Sequence, residues 1–294
     1  MLAAAAALVL GFWWPVAAPG GAHVAFTKVY EQHMELYVLD ARTNRTVRVG
    51  TSAGQLSPTW SPNGTELAYA AGGVLYVVNA DGRAKHRYLA PTKSFAPAWR
   101  PGGTALAYLT AHGAQNTDLW VGPALWARNA IGRPAWSPGG TMLAFQRDDG
   151  IYVATGPAAE RRVASIANPG QPAWSPNGKW IAYTAGHELF VVTADGIAPP
   201  RRLASNLHDP GTPSWSPNSL EVAVSRAGGV WVANLEGGGH PADQRARVFG
   251  VGTSWDGVDL LISASAPRCS ARTAIVLIRP NGTTSALAGS CSTS

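Results

Sequence analysis

The chain has 294 residues, of which 46% are apolar and 14% are charged. This apolar content excludes an intrinsically disordered chain, because enough side chains can be buried to offset the conformational entropy lost on folding. The formal net charge is +6, from 23 basic and 17 acidic residues, but no stretch is densely basic, so a nucleic-acid partner is not expected. The 33 Gly and 22 Pro follow no Gly-X-Y period, which excludes a collagen-like chain and indicates many short strands separated by turns.

The N-terminal segment is apolar and has no Lys or Arg before Lys28. An apolar stretch followed by small residues is typical of a secretory signal, and Ala18 and Ala22 end two candidate cleavage sites. An uncleaved anchor is the alternative, although the stretch is at the lower length limit for crossing a bilayer. We therefore expect residues 1–22 to be a signal peptide or N-terminal membrane anchor. Residues 23–294 are then a single domain of an exported protein in the periplasm, at the cell surface or outside the cell.

A sequence repeat covers most of the remaining chain. A Pro-x-Trp-Ser-Pro-Asn-Gly pattern, followed by a Leu-Ala-Tyr type strand, recurs every 37 to 41 residues with small variations. The repeated tryptophans are Trp60, Trp99, Trp136, Trp174, Trp215 and Trp255. Ser-Pro-Asn-Gly is typical of a type I turn, with Pro at its second position and Gly at its last. Two further strands follow in each unit, and some are joined by an Asp-Gly hairpin turn such as Asp81 and Gly82.

Units of four strands and about 40 residues predict an all-β fold, a β-propeller of four-stranded antiparallel blades. One sheet cannot bury both of its faces alone, so neighbouring blades must stack, and the repeated Trp fills the gap between them. Seven third strands accompany only six Trp signatures. We expect seven blades, with six as the alternative. The first blade then lacks its innermost strand, and we expect it to be three-stranded or completed by the C-terminal tail.

The Trp-Ser-Pro-Asn-Gly and Leu-Ala-Tyr pattern resembles the TolB-like propeller repeat, which is related in shape to WD-type repeats. The resemblance covers roughly residues 22–288. The family turn usually carries Asp where this chain has Asn63, Asn177 and Asn218, and Asn suits the same turn geometry. The resemblance implies the propeller alone, without the α/β domain that TolB carries before it and without the hydrolase domain of dipeptidyl-peptidase propellers. TolB's role in envelope assembly is therefore not implied for this chain.

Motifs of catalytic or metal sites are not found in the sequence. There is no nucleophile elbow, no Walker loop, no His-Glu-x-x-His helix and no spaced Cys/His cluster. We therefore expect no enzyme activity, no cofactor and no metal site. Asp148 and Asp149 form the only carboxylate pair in a predicted loop, and we expect them to cap a tight hairpin rather than bind a cation.

Paired arginines recur at the start of the fourth strand of several units, as at Arg161 and Arg162 and at Arg201 and Arg202. The fourth strand is the outer edge of a propeller blade. Charged side chains on an exposed edge prevent edge-to-edge pairing with other chains. We expect the arginines to have this role, with an anion-binding ring as the alternative.

Binding residues are expected where loops depart from the repeat, because the repeated positions are already required by the architecture. Three segments depart from it: residues 111–117, 122–129 and 206–212. The candidate binding residues within them are His112, Asn116, Trp126, Arg128, His208 and Asp209. Trp126 has two interpretations, either an exposed aromatic contact or a fourth-strand residue packed between blades.

The two cysteines of the chain are Cys269 and Cys291. An even number of cysteines in an exported chain predicts a disulfide. This bond would close a loop of about 22 residues near the C-terminus and stabilise the fold by about 3 kcal/mol. Two free thiols are the alternative if the chain is not exported.

The sequence favours an exported, non-enzymatic, monomeric propeller that binds a protein or peptide on one face and acts as a scaffold in the cell envelope. A module that binds glycan or another cell-wall component is the first alternative, suggested by the 12 Trp. A hydrolase or lyase with a site in the central channel is the second. An exposed aromatic platform would favour glycan binding, and ionisable groups clustered in the channel would favour an enzyme.

Overall fold

A computed structural model of the chain describes residues 9–54, 56–112, 116–226, 229–236, 243–246, 250–256, 259–265, 273–278 and 284–286. Side-chain burial and contacts are described for residues 15–225, with gaps at 55 and 113–115, and for residues 230–236. Within these ranges the chain forms 28 strands and no helix. Every four consecutive strands make one antiparallel sheet in chain order, so the described strands form seven four-stranded sheets, the number that the third strands of the repeat predicted.

The strands are numbered in chain order and grouped by blade. Blade 1 contains Val9–Ala17, His23–Tyr30, Met34–Asp40 and Arg45–Ser52 (β1–β4). Blade 2 contains Thr59–Trp60, Glu66–Ala71, Val74–Asn79 and His86–Arg87 (β5–β8). Blade 3 contains Ser94–Trp99, Leu106–His112, Asn116–Val121 and Ala124–Arg128 (β9–β12). Blade 4 contains Ile131–Trp136, Leu143–Arg147, Gly150–Gly156 and Ala159–Ser165 (β13–β16).

The remaining three blades continue the same pattern. Blade 5 contains Ala173–Trp174, Trp180–Ala185, Glu188–Thr193 and Arg201–Ala204 (β17–β20). Blade 6 contains Ser214–Trp215, Glu221–Arg226, Gly229–Asn234 and Asp243–Ala246 (β21–β24). Blade 7 contains Gly250–Asp256, Asp259–Ser265, Thr273–Ile278 and Thr284–Ala286 (β25–β28).

The first strands of the seven blades form a closed ring. Each lies against the first strand of the next blade, in the order β1, β5, β9, β13, β17, β21 and β25, and β25 lies against β1 again. The ring encloses the central channel of the propeller, and the fourth strands lie at the outer edges. Closure removes the exposed sheet faces that a single blade would present to water.

The first blade is completed by the N-terminal segment, which corrects the expectation that it is three-stranded or completed by the C-terminal tail. β1 pairs antiparallel with β2, from Val9 opposite Tyr30 to Ala17 opposite Val24. The register shifts near Pro15, which has no N–H to donate and is tolerated because β1 is an edge strand. Cleavage or anchoring within residues 1–22 stays a prediction. In the uncleaved chain, Val9–Ala17 belong to blade 1.

The Ser-Pro-Asn-Gly turns have the predicted geometry. In blade 2 the N–H of Gly64 donates to the carbonyl of Ser61 at 2.9 Å, as in a type I turn. Ser61 Oγ donates to Asn63 Oδ1 at 2.7 Å and accepts the N–H of Glu66 at 2.9 Å. The Gly has φ +71°, the left-handed conformation in which Gly is least strained. Blade 6 has Ser219 at the corresponding position with φ 62°.

The hydrophobic core lies between neighbouring blades, where the repeated tryptophans pack. The indole N–H of Trp136, Trp174 and Trp215 donates to an inner-strand carbonyl of the preceding blade, at 3.1, 2.9 and 3.0 Å. Trp60 makes the same bond to blade 1. Trp255 lies on β25, and its side chain is outside the part of the structure that is described. The sequence prediction that these tryptophans join adjacent blades is therefore confirmed for four of the six.

Candidate functional site

Strand directions place the irregular loops on one face of the propeller, here called the upper face. Each first strand begins at this face, and because all strands within a blade are antiparallel, the loops between second and third strands also lie there. The loops that connect one blade to the next return to the same face. The lower face carries the Ser-Pro-Asn-Gly turns and the hairpins between third and fourth strands. Five of the six candidate binding residues belong to upper-face loops or strand ends: His112, Asn116, Arg128, His208 and Asp209.

The sixth candidate, Trp126, lies on β12 and is 8% exposed. Its ring packs edge-on against Trp136 of the next blade, with 5.5 Å between ring centroids. Of the two interpretations, the structure therefore supports packing between blades, and Trp126 is not a surface contact. The strand was hard to recognise from sequence because it lacks the Asp-Gly turn that precedes the fourth strand in blades 2 and 5. The disulfide prediction for Cys269 and Cys291 lies outside the described residues.

A polar cluster on blade 3 joins three residues of the upper face. His112 Nε2 lies 3.0 Å from Asp118 Oδ2, and Arg128 Nη1 lies 3.7 Å from the same oxygen. The Asp118 side chain is 8% exposed, whereas that of His112 is 49% exposed. Asp118 Oδ1 is buried and has no hydrogen-bond donor among the residues whose side chains are described. The buried carboxylate therefore orients an exposed imidazole and an exposed guanidinium toward solvent. Asp118 was not among the residues predicted from sequence. The feature that could have indicated it is an acidic residue directly before the Leu that opens the buried part of a third strand.

Blade 5 contributes a histidine pair to the upper face. The ring centroids of His187 and His208 are 5.4 Å apart, and His187 Nδ1 lies 3.3 Å from the carbonyl of Leu207. Both imidazoles and the following Asp209 are exposed. Asp209 has φ 48°, a left-handed conformation that short polar side chains tolerate. Sequence spacing did not indicate this pair, because the two histidines lie on different loops of the blade.

The central channel contains an arginine that sequence reasoning missed. Arg133 lies on β13, and its Nη2 donates to the carbonyl of Pro58 in blade 2 at 2.6 Å. A second, longer contact of 3.5 Å reaches the carbonyl of Pro97 in blade 3. One side chain thus links the inner strands of three blades across the channel. Burial lowers the pKa of Arg133 to about 10, so the guanidinium remains positively charged at neutral pH.

Arg133 occupies a register position that recurs three residues before each repeated Trp. The equivalent residues of the other blades with described side chains are Ser57, Ala96, Gln171 and Thr212. Thr212 Oγ1 donates to Gln171 Oε1 at 3.3 Å. A comparison of the repeats at this position would have identified Arg133 as its only charged residue. The position of Arg133 varies from repeat to repeat, so it is not part of the recurring Trp and turn pattern that identifies the fold.

The residue before Arg133, Gln171 and Thr212 is glycine in each of blades 4, 5 and 6. A Cβ on Gly170 would lie 2.3 Å from Thr184 Oγ1, and a Cβ on Gly211 would lie 2.5 Å from Ser225 Oγ. On Gly132 it would lie 2.6 Å from the side-chain oxygen of Gln146. The close approach of a short second-strand side chain therefore favours glycine at Gly170 and Gly211, and at Gly132 the φ of +71° favours it as well.

The paired arginines of the fourth strands lie on exposed or half-buried edge positions and also have partners within the fold. Their role in preventing edge-to-edge pairing stays a prediction. The first of each pair bonds to carbonyls of the next blade: Arg161 to Ala194 and Arg201 to Leu235. The second forms an ion pair within its own blade. Arg162 lies 3.0 Å from Asp149, and Arg202 lies 2.6 Å from Glu188. The sequence could not show these contacts, because the partners lie 13 or more residues away.

Asp149 lies at a tight hairpin, as predicted for this carboxylate pair. The hairpin joins β14 to β15 with Arg147 opposite Gly150. Hydrogen bonds from the hydroxyl of Tyr152 and the nearby Arg162 hold the pKa of Asp149 below its usual range. Where side chains are described, no group of three His, Cys, Asp or Glu could hold a metal ion.

Blade 1 carries an ion pair between a buried carboxylate and an exposed arginine. Glu35 is 7% exposed and accepts hydrogen bonds from Tyr37 Oη and Arg48 Nη1, both at 2.6 Å. Burial opposes the charged form, but the bonds from Tyr37 and Arg48 outweigh it and hold the pKa of Glu35 below its usual range. Glu35, Asp118 and Glu188 occupy the same register at the start of their third strands. This recurring acid anchors basic side chains on the upper face.

Comparisons with known proteins support the fold. No protein-family model matches the chain, and no curated protein sequence matches it. Among solved structures, an oligogalacturonate lyase in complex with manganese has a TM-score of 0.65 at 14% identity, covering 90% of this chain and 87% of that one. The Cps50 (Swd1) β-propeller domain of Myceliophteria thermophila has a TM-score of 0.63 at 14% identity, covering 90% and 96%.

A TolB from Agrobacterium tumefaciens has a TM-score of 0.56 at 15% identity, covering 87% of this chain and 88% of that one. This chain has the fold of a TolB-like β-propeller. Identities this low concern the fold alone, since propellers of one shape serve unrelated functions. No helix in the described part of the chain is long and apolar enough to span a membrane.

Proposed function

We propose that the chain is an exported, non-enzymatic, monomeric propeller that binds a protein or peptide on its upper face and serves as a scaffold in the cell envelope. The observation that carries the proposal is the gathering of His112, Asn116, Arg128, His208 and Asp209 on this one face. Each is exposed and lies in a loop or at a strand end that the repeat does not dictate. The propeller architecture therefore does not need these particular side chains. Exposed loop residues of this kind often bind a partner.

The chemistry of the upper face suits a polypeptide ligand. Peptide groups need both donors and acceptors, and the upper face offers imidazole, guanidinium, amide and carboxylate groups. Arg128 and His112 are held by the buried Asp118, so part of the surface is ordered before binding.

Export is proposed from two observations. The N-terminal segment has the apolar stretch and small residues of a secretory signal. The likeness to a TolB structure is compatible with a protein of the envelope. β1 adds a constraint, because Val9–Ala17 belong to blade 1 in the uncleaved chain.

The glycan alternative required an exposed aromatic platform. Every aromatic side chain whose burial is described is buried or half-buried. The upper face instead offers charged and amide groups. Peptide binding is therefore the better supported of the two.

An enzyme remains the second candidate because of His112 and Asp118. A buried carboxylate 3.0 Å from an exposed imidazole is an arrangement that orients a general base. A solved structure of similar fold is an oligogalacturonate lyase. Assaying the purified chain on polygalacturonate, with His112→Gln as the comparison, tests this. Activity that His112→Gln removes would establish the enzyme and overturn the non-enzymatic proposal.

Site-specific photo-crosslinking tests the main proposal. A photoreactive amino acid is placed at Asn116 or His208 on the upper face, and at the exposed Asn177 of a lower-face turn as the matched control. Irradiation in envelope extracts is expected to give polypeptide adducts from the first two positions and none from Asn177. Adducts from Asn177 alone would overturn the choice of face. Binding to isolated cell wall without any polypeptide adduct would overturn the proposal in favour of the glycan alternative.

A further inference from the structure

The outer edge of blade 2 carries a group of exposed basic side chains. Residues 83–93, which include β8, contain four Lys or Arg and no acidic residue. The four are Arg83, Lys85, Arg87 and Lys93, and all are exposed. Residues 83–93 are called the basic edge below.

Most of this charge is not neutralised by the described part of the fold. In blades 4 and 5, acids pair with the comparable fourth-strand arginines at 3.0 and 2.6 Å. Among the described side chains, the one acid within 4 Å of a cation of the basic edge is Asp81, which lies 3.9 Å from Arg83 Nε. Lys85, Arg87 and Lys93 are therefore left to interact with a partner outside that part of the chain.

Two of these cations lie on the same side of blade 2. Lys85 Nζ is 4.6 Å from the centre of the Tyr76 ring, and Arg87 lies directly opposite Tyr76 in the pairing of β7 with β8. Residues directly opposite in an antiparallel pair share a face of the sheet. Tyr76 stacks on Tyr69, whose hydroxyl donates to the carbonyl of Val49 in blade 1. Lys85 and Arg87 are therefore on the side that faces blade 1.

Blade 1 continues the positive surface. A Cβ on Gly82 would lie 2.7 Å from Val47 Cγ1, so the hairpin that precedes the basic edge lies against β4. Arg45 is two residues before Val47 on the same strand face and is exposed, as is Arg42 in the preceding turn. One acid, Asp40, belongs to this turn and accepts the N–H of Arg42 at 2.8 Å. The fold thus brings together cations from two separate stretches of the sequence.

An apolar side chain stands among these cations. Leu89 is 95% exposed, and Pro91 is exposed two residues later. Burying an exposed apolar side chain is favourable, but a purely ionic ligand offers no apolar surroundings. A bilayer with anionic headgroups offers both negative charge and an apolar layer beneath it.

We infer that the basic edge, together with Arg42 and Arg45, docks the protein on an anionic lipid membrane, with Leu89 entering the headgroup region. The candidate binding residues of the upper face belong to other blades, so docking through blades 1 and 2 leaves them free for a ligand. The inference therefore goes beyond the proposed function and does not depend on it.

Co-sedimentation of the whole chain with lipid vesicles tests the inference. Vesicles of phosphatidylglycerol and phosphatidylcholine in equal parts are expected to bind the wild type, less so as salt is added, and vesicles of phosphatidylcholine alone are expected not to bind it. Lys85→Gln combined with Arg87→Gln should weaken binding about ten- to thirtyfold, because each cation near an anionic surface contributes roughly fivefold. Leu89→Gln should weaken it roughly three- to tenfold. Since Leu89 is almost fully exposed, this variant provides the test if the double charge variant does not fold.

Two controls match these changes elsewhere on the propeller. Arg162→Gln combined with Arg202→Gln removes the same charge from the outer strands of blades 4 and 5, and Ile197→Gln removes an apolar side chain that is 85% exposed. Both are expected to leave vesicle binding within about twofold of the wild type. An equal loss in the two double charge variants would show an effect of net charge and overturn the docking surface.

Absence of wild-type binding to the phosphatidylglycerol vesicles would also overturn the inference. Binding to soluble polygalacturonate that the Lys85 and Arg87 changes weaken, with no effect of Leu89→Gln on vesicle binding, would assign the surface to an acidic polymer instead. Crosslinking at Asn116 and His208 reports on the proposed function separately and is expected to persist in the Lys85 and Arg87 double variant.

Discussion

The indole N–H of Trp60 donates to the carbonyl of Val16 at 2.8 Å. Trp136, Trp174 and Trp215 make the same bond to the inner strand of the blade before them. Val16 therefore has in blade 1 the role that Ala98, Ala135 and Ala173 have in blades 3, 4 and 5. The apolar N-terminal segment is used as an inner strand, and it lies against β25 to close the ring.

Replacing Trp60 with Phe is expected to remove this hydrogen bond. Trp99 provides a matched control, because its Nε1 is buried without an acceptor among the described residues. Both substitutions lose similar ring volume, so the difference between them isolates the bond. Trp60→Phe should lower the free energy of unfolding by about 1 kcal/mol more than Trp99→Phe, as measured by urea denaturation. Equal losses would show that the Trp60 bond does not contribute to stability.

Deleting residues 1–18 is expected to destabilise the propeller, because it removes β1 together with its packing against blades 1, 2 and 7. The cost is about 3 kcal/mol or more from lost apolar burial. For a chain of this size that corresponds to a fall of roughly 6–12 °C in the thermal midpoint. In the truncated chain, Trp60→Phe should cost less than in the full chain, since its acceptor is gone. An unchanged midpoint would mean that the propeller closes without β1, as a cleaved signal peptide requires.

The repeat made the all-β propeller, its turns and its interblade tryptophans predictable from sequence. The innermost strand of blade 1 was not, because an apolar stretch before small residues has the same pattern as a secretory signal. Arg133 was missed for a different reason. Its importance depends on where the side chain crosses the channel, and no local pattern encodes that position. The partners of Arg161, Arg162, Arg201 and Arg202 were likewise hidden, since sequence shows a charge but not what it meets in the next strand or blade.

The ion pair of Glu35 predicts a loss of stability in acid. Hydrogen bonds from Tyr37 and Arg48 hold its folded-state pKa below the unfolded value of 4.5. The stabilisation is therefore present above that value and is lost as the pH falls through the lower folded-state pKa. Glu35→Gln should destabilise the chain at about pH 6 and much less at about pH 3, as measured by urea denaturation at each pH. Glu66→Gln is the control, because Glu66 forms no ion pair within the described residues, and a pH-independent effect of Glu35→Gln would contradict the argument.

The close approach of Gly170 to the second strand predicts a steric cost for any side chain there. A Cβ on Gly170 would lie 2.3 Å from Thr184 Oγ1 and 3.4 Å from the Thr184 carbonyl oxygen. Gly170→Ala should therefore lower the free energy of unfolding by about 1–3 kcal/mol. Gly156→Ala is the control, since a Cβ there meets nothing within 4 Å and the backbone needs no positive φ; it should be neutral or stabilising by about 0.4–1 kcal/mol. Thr184→Ala removes the clashing hydroxyl, so adding it to Gly170→Ala should restore part of the loss. If the loss of unfolding free energy in the double variant equals the sum of the losses in Gly170→Ala and Thr184→Ala, the clash with the Thr184 hydroxyl is not the cause.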